Sequence, residues 1–378
     1  MKVAVIGTGI TKFGELWDKS FYDLAEEAAS HAILESKIEP GQIDAVFCAN
    51  MLSGNLTGQN HLGAQVTSIL KIHCPAYTIE AACASGGVAT NLAYLSILSG
   101  KAKNVLVIGV EKMTDFTNAE VASGLMGAAS EDERQAGLTF PGLYALMANA
   151  HMQKFKTTRR DLANVAVKNH YHGSLNENAQ FQNRITIEKV LESPPVATPL
   201  TLFDCSPMSD GAAAIILSAV ENTNNSPQIT ASAVATDTVG LAKRKSITEI
   251  LATKIAAQNA YKQAGITPAD INVAEVHDCF TIAEIIAMED LGFCPKGRGG
   301  KYISNGSTKL GGSKPINTSG GLKACGHPVG ATGIKQIIEI TKQLKGEAEK
   351  RQVKSAKIGL AHNIGGSGAT AAVHILQI

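Results

Sequence analysis

Cys83 lies in Glu80-Ala-Ala-Cys-Ala-Ser-Gly-Gly87, a run of small residues between an apolar stretch and an alanine- and glycine-rich one. A thiol at a strand-to-helix junction faces unpaired backbone N–H groups and the positive end of the helix dipole. Both favour the thiolate, which is the nucleophilic form. The competing reading of this segment alone is a buried structural cysteine. His327 sits in a glycine-rich loop, Gly320-Gly-Leu-Lys-Ala-Cys-Gly-His-Pro-Val-Gly-Ala-Thr-Gly333. An imidazole beside a cysteine can take the thiol proton; a proline-fixed turn with a solvated histidine is the alternative. His277-Asp-Cys-Phe280 follows an apolar run at 273–276 and precedes a helical pattern at 281–291. A histidine and a cysteine two positions apart can supply one hydrogen-bond donor and one acid/base. Asp278 reads equally well as a cap for that helix. In His362-Asn-Ile-Gly-Gly-Ser-Gly368 the glycines can present N–H groups to a developing oxyanion, or simply turn a hairpin.

Other segments carry weaker signals. Gly7-Thr-Gly-Ile-Thr-Lys-Phe-Gly14 has lysine where a dinucleotide fingerprint needs its third glycine, so it reads as a tight turn after a strand. His151, His170 and His172 have no ligand cluster with metal spacing around them, so no metal site is expected and they read as surface or lid histidines. Lys243-Arg-Lys245 reads as a solvated face, and Cys325 as structural.

The elements that must position these residues occur twice. Glu39 to Asn50 and Thr267 to Asp278 each run from a proline-led turn into a short apolar stretch. The Cys83 turn and the His327 loop each open a helix of small residues. Apolar strands follow at 104–110 and 356–361, then glycine-led strands at 210–217 and 367–375. The chain thus reads as a duplication, which lets equivalent loops meet at a pseudo-symmetry axis and bring Cys83 to His327. The halves are expected at 1–222 and 223–378, divided near Asn222 to Pro227. The first half carries an insertion of roughly 90 residues, about 112–205, the size of a small subdomain or lid. Strands alternating with helices predict an α/β protein with sheets covered on both faces.

Composition narrows the function classes. Thirty-four basic against 33 acidic residues leave a net charge of +1, with no broad attraction for nucleic acid or an anionic membrane. No apolar run approaches the roughly 18 residues of a membrane span. The N-terminus reads as a first strand rather than a signal peptide, and the last three residues are not a peroxisomal address. Seven cysteines, an odd number without zinc spacing, fit free thiols in a reducing cytoplasm.

Five motifs in this order resemble the thiolase family, within the thiolase and ketoacyl synthase superfamily. They are Cys83-Ala-Ser-Gly, Ser209-Asp-Gly-Ala-Ala-Ala, His277-Asp-Cys-Phe, Gly326-His-Pro-Val-Gly-Ala-Thr-Gly and His362-Asn-Ile-Gly-Gly. The nearest branch is that of the sterol-carrier-protein-type and archaeal acetyl-CoA acetyltransferases, to whose archaeal members 137–144 is also similar. The resemblance implies a duplicated five-layer αβαβα fold with an inserted loop subdomain. It implies an acyl-CoA C-acyltransferase that condenses two acetyl-CoA to acetoacetyl-CoA, or runs the reverse thiolysis, through an acyl-Cys83 intermediate. His327 would take the Cys83 proton. The usual C-terminal Cys-x-Gly is absent here, so Cys279 becomes the implied acid/base, with His277 and His327 in one oxyanion pocket. The second pocket would use the Cys83 N–H and one from the His362 to Gly365 segment. No permanently bound cofactor is implied; the coenzyme A thioester is substrate. A homodimer or homotetramer is implied, and relatives can assemble with hydroxymethylglutaryl-CoA synthase through a small zinc-containing bridging protein. Rival readings are a longer-chain 3-oxoacyl-CoA thiolase, a decarboxylating ketoacyl synthase and a non-catalytic acyl-CoA or lipid-binding protein.

Overall fold

The computed structural model of the chain describes residues 2–220 and 226–378. The first half forms β1 (Lys2–Ile10), α1 (Phe21–Ser36), β2 (Ala45–Ala49), α2 (Ser53–Leu56), α3 (Leu62–Leu70), β3 (Ala76–Ile79), α4 (Ser85–Leu98) and β4 (Asn104–Glu111). Five helices follow: α5 (Asn118–Leu125), α6 (Glu131–Gln135), α7 (Phe140–Phe155), α8 (Arg159–Gly173) and α9 (Ile187–Leu191). A short hairpin, β5 (Pro195–Ala197) and β6 (Leu200–Thr201), then leads back to β7 (Gly211–Val220). The second half runs β8 (Gln228–Thr236), α10 (Leu251–Ala264), β9 (Val273–Glu275), α11 (Thr281–Asp290), α12 (Gly299–Ser304), α13 (Gly321–Cys325), α14 (Thr332–Lys345), β10 (Ile358–Gly365) and β11 (Thr370–Gln377).

The strand order is β3-β2-β4-β7-β1-β8-β11-β10-β9. Read outward from the centre, β1-β7-β4-β2 on one side repeats as β8-β11-β10-β9 on the other. Pairing senses repeat as well: β2/β4 and β9/β10 are parallel, β4/β7 and β10/β11 antiparallel. The halves join through a narrow seam, the Ala4–Gln228 pair and the Val5 N–H donated to Pro227 O at 2.9 Å. The expected division at 222/223 lies outside the described residues. Helix α1 covers the outer face of the first-half strands and α10 that of the second, while α4 and α14 pack between them against strands of both. That is the five-layer αβαβα arrangement.

Local sequence explains these layers. Ser20 and Asp23 form a capping box that starts α1, which buries Leu24, Ala25, Ala28, Ala29 and Ala32. The Gly7-x-Gly9 pair serves this contact: a Cβ would stand 2.1 Å from Ala32 O at Gly7 and 2.0 Å from Ala28 O at Gly9. Both glycines thus lie inside β1 and not in the tight turn expected after it, and their role is close strand–helix approach. Small residues Gly86, Gly87, Ala89 and Ala93 let α4 lie buried between the two sets of strands. Both catalytic-type loops, before α4 and before α14, therefore open at one middle layer. Among the described residues no helix is long and apolar enough to cross a membrane.

Candidate active site

Strand β3 ends at Ile79 and α4 begins at Ser85, so Cys83 stands on the junction expected for it. The turn is tight: Ala82 adopts φ +52°, a left-handed conformation that a non-glycine residue holds only when its surroundings enforce it. Glu80 does so by accepting the Ala82 N–H at 2.7 Å, and the Ser85 hydroxyl by accepting the Ala81 N–H at 2.8 Å. The N–H groups of Gly366 and of Cys83 itself point at the sulfur. The donor expected from Gly365 is thus contributed one residue later. The expectation of a resting thiolate is not met. Burial pushes the Cys83 thiol up to about 12, the two N–H groups offset this only partly, and the Glu111 carboxylate adds to it.

His327 comes from the opposite half. Cys83, His277 and His327 place one sulfur and two ring nitrogens within 4.8 Å of one another. The two rings meet edge to face with centroids 5.1 Å apart. Burial holds His327 down at about 3, with Lys335 contributing, and holds His277 well below its ordinary value. Both rings are neutral at pH 7. Thr332 Oγ1 donates to Pro328 O at 3.0 Å and therefore accepts from His327 Nδ1–H at 2.8 Å. The Nε2 lone pair of His327 is left free to take a proton. Ser209 fixes the loop: its hydroxyl accepts the His327 N–H at 2.9 Å and donates to Gln180 Oε1 at 2.5 Å.

His277 has the reverse arrangement. The Asn363 side-chain amide donates to Cys83 O at 2.9 Å and to His277 Nδ1 at 3.1 Å. The proton of His277 therefore sits on Nε2, which is buried without a partner. Cys279, nearly buried, is an electrostatic neighbour of Cys83, and burial raises its thiol well above the usual range. Tyr144 of α7 lies beside Cys279 and donates to Gly366 O at 3.0 Å, while its ring stacks on Phe280 at 4.5 Å.

Several expectations need correction. His362 points to the far side of β10, where Nε2 meets Thr253 Oγ1 at 2.9 Å, and is not among the three clustered groups. Strand alternation sends its neighbour Asn363 to the site instead. Asp278 does not cap α11, whose N-cap residue is Phe280 and which has no side-chain cap. It accepts the Leu322 and Lys323 N–H groups at 2.6 and 3.2 Å and so ties the His277 loop to the segment leading to His327. The insertion histidines are neither surface nor lid: His151 bonds Glu289 at 3.1 Å, His172 bonds Asn317 O at 2.9 Å, and His170 is buried too. Within the basic run Lys243 is exposed as expected, but the Arg244 side chain is buried and donates to Ser367 O at 2.9 Å, anchoring the turn that carries Gly366. Cys325 is buried, as a structural cysteine should be.

A strained cysteine turn from one half of a duplicated αβα fold, meeting imidazoles from the other, defines an enzyme of the acyl-transferring thiolase class. The family model of the thiolase N-terminal domain matches residues 3–221, and the thiolase C-terminal domain-like model matches 233–378. The chain is 49% identical to the acetyl-CoA acetyltransferase of Methanothermobacter thermautotrophicus over 99% of both chains. It is 35% identical to sterol carrier protein 2 of Bos taurus, over 97% of this chain and 71% of that one. Among solved structures it superposes on a chain of the Ltp2-ChsH2(DUF35) aldolase with a TM-score of 0.85 and 25% identity, covering 100% of this chain and 97% of that one. The chain belongs to the thiolase family of acyltransferases.

Proposed function

We propose that this protein is an acetyl-CoA C-acetyltransferase, which joins two acetyl-CoA into acetoacetyl-CoA and coenzyme A or runs the reverse thiolysis. The observation that carries the reading is the convergence of Cys83, His277 and His327 within 4.8 Å. In the first step Cys83 Sγ attacks the thioester carbonyl as His327 Nε2 takes its proton. A neutral thiol–imidazole pair suits this, because charge develops only as the bond forms. The oxyanion lies between the Cys83 and Gly366 N–H groups. Cys279 gives its proton to the departing coenzyme A thiolate. This leaves acyl-Cys83, a Cys279 thiolate and a protonated His327.

In the second step the carbonyl oxygen of another acetyl-CoA accepts hydrogen bonds from His277 Nε2–H and His327 Nε2–H. Cys279 removes the α-proton and the carbanion attacks acyl-Cys83. The released Cys83 sulfur regains its proton from His327. Each side chain regains its starting protonation state, the α-proton replacing the one Cys279 gave to coenzyme A, and the chemistry calls for no resident cofactor. A small acyl group is the reading for this site, where Cys83 packs against the buried apolar cluster of Leu52, Met113, Val121 and Val329.

A homodimer is the proposed assembly. Edge strand β3 is open, its own Tyr77 50% exposed, and Leu92, Leu95 and Leu98 of α4 are exposed as well. Likeness to a chain of the Ltp2-ChsH2(DUF35) aldolase is in keeping with a partner protein, and a bridged assembly with hydroxymethylglutaryl-CoA synthase is the further reading that the family resemblance implies. Free thiols throughout support a cytoplasmic setting. The deciding experiment is incubation with acetyl-CoA followed by peptide mass spectrometry. An acetyl adduct on Cys83 is expected, and label confined to other residues would overturn the assignment.

A further inference from the structure

Cys83, His277 and His327 have the ligand types and the mutual spacing of a zinc site, with one thiol and two imidazoles within 4.8 Å. A nucleophilic thiol cannot serve while bound to a metal, so something must prevent capture of an ion. We propose that Asn363 is a positioning residue that locks His277 with its proton on Nε2, and that this lock keeps the trio from binding a divalent metal ion.

The orientation of the Asn363 carboxamide is set by backbone groups whose roles are not interchangeable. Its Oδ1 accepts the Gly87 N–H at 3.1 Å and its Nδ2 donates to Cys83 O at 2.9 Å. A flipped amide would face donor to donor and acceptor to acceptor. The second Nδ2 proton points to His277 Nδ1 at 3.1 Å, so that ring nitrogen is the acceptor. The other His277 nitrogen, Nε2, carries the hydrogen and is buried without a protein partner. It has no lone pair to give a metal. Cys83 and His327 remain, two ligands where protein zinc sites use three or four. Moving the proton to Nδ1 would set N–H against N–H inside a buried site. The same lock makes His277 a fixed donor for an oxyanion.

This inference rests on the reading of the trio as the catalytic centre, and the test separates the two. Cobalt(II) is titrated into the metal-free wild type and into Asn363→Asp, with the thiolate-to-cobalt charge-transfer band as readout. An aspartate still accepts the Gly87 N–H, but its other oxygen accepts from His277 Nδ1–H and frees Nε2. The wild type is expected to show no band. Asn363→Asp is expected to show one, with affinity about 10- to 100-fold tighter, in line with second-shell effects on metal sites, and to lose it when Cys83→Ser is added. Nitrogen-15 spectra, assigned with His277→Gln, should show the wild-type ring protonated at Nε2. A wild-type cobalt–thiolate band, or a wild-type ring protonated at Nδ1, overturns the lock, and both readings stand even if the variant fails to fold. Acetyl labelling of Cys83 is read in parallel without metal. Its absence with the lock intact sinks the catalytic reading alone, and its presence with wild-type cobalt binding sinks the lock alone.

Discussion

Replacing Thr332 by valine tests whether His327 acts as the base. The substitution keeps the shape of the side chain and removes one oxygen. That oxygen is the acceptor of His327 Nδ1–H at 2.8 Å, itself fixed by donation to Pro328 O at 3.0 Å. In Thr332→Val the buried Nδ1–H loses its partner, which costs about 1–3 kcal/mol. The ring then has no reason to keep its proton on Nδ1, and the tautomer with Nε2–H cannot accept from Cys83. Because about 1.36 kcal/mol is tenfold in rate, acylation should slow by about 5- to 150-fold. The assay is single-turnover acylation with acetyl-CoA, quenched and read by intact-protein mass. Thr332→Ser keeps the hydroxyl and should restore most of the rate. KM should change little, since no substrate contact is removed. Thr332→Val acylating at the wild-type rate, or Thr332→Ser as slow as Thr332→Val, would refute the reasoning.

Three further outcomes follow from the same geometry. Cys279→Ala should still form acyl-Cys83, more slowly without a proton for the departing thiolate, yet lose condensation and thiolysis by about 10²- to 10⁴-fold, the usual worth of a general acid/base, and full steady-state activity would move that role elsewhere. Burial holds the free Cys83 thiol up to about 12, so its alkylation by iodoacetamide should keep climbing as pH rises past 9, whereas a plateau near neutrality would reveal a resting thiolate. Lys335→Met strands the buried Glu275 carboxylate, now paired at 3.0 Å, and should lower unfolding free energy by about 3–5 kcal/mol in denaturant titrations; an unchanged midpoint would show the pair to be dispensable.

The duplication and the insertion were legible because they are patterns of order: turn, apolar run, glycine loop, strand, stated twice. The paired strand orders on either side of the β1/β8 seam bear out the duplication. Cys83, His277, Cys279 and His327 were legible because reactive types stood beside glycines at strand ends. What sequence could not reveal was which way a side chain points and how dry its surroundings are. His362 and Asn363 are adjacent in one motif, and only strand parity decides that the amide rather than the imidazole reaches the site. The thiolate expected from a helix N-terminus gave way to burial, which is a property of the packed layers. Tyr144 bore no signal of its own, since nothing in the insertion announces that α7 crosses over the Cys279 loop.

Two neutral imidazoles beside one sulfur need a means of being told apart. Burial keeps both uncharged and so cannot distinguish them. Were both acceptors, no donor would face a developing oxyanion; were both donors, the Cys83 proton would have no destination. The difference comes from what each ring meets on its far side: a threonine hydroxyl that accepts at His327, an asparagine amide that donates at His277. On the proposed roles the distinction is also temporary. Once His327 has taken the Cys83 proton, both rings present N–H to the site, and this happens only in the acyl-enzyme, when a second thioester carbonyl needs them. The order of the two half-reactions is thereby written into one proton transfer, and a single hydroxyl and a single carboxamide decide its direction.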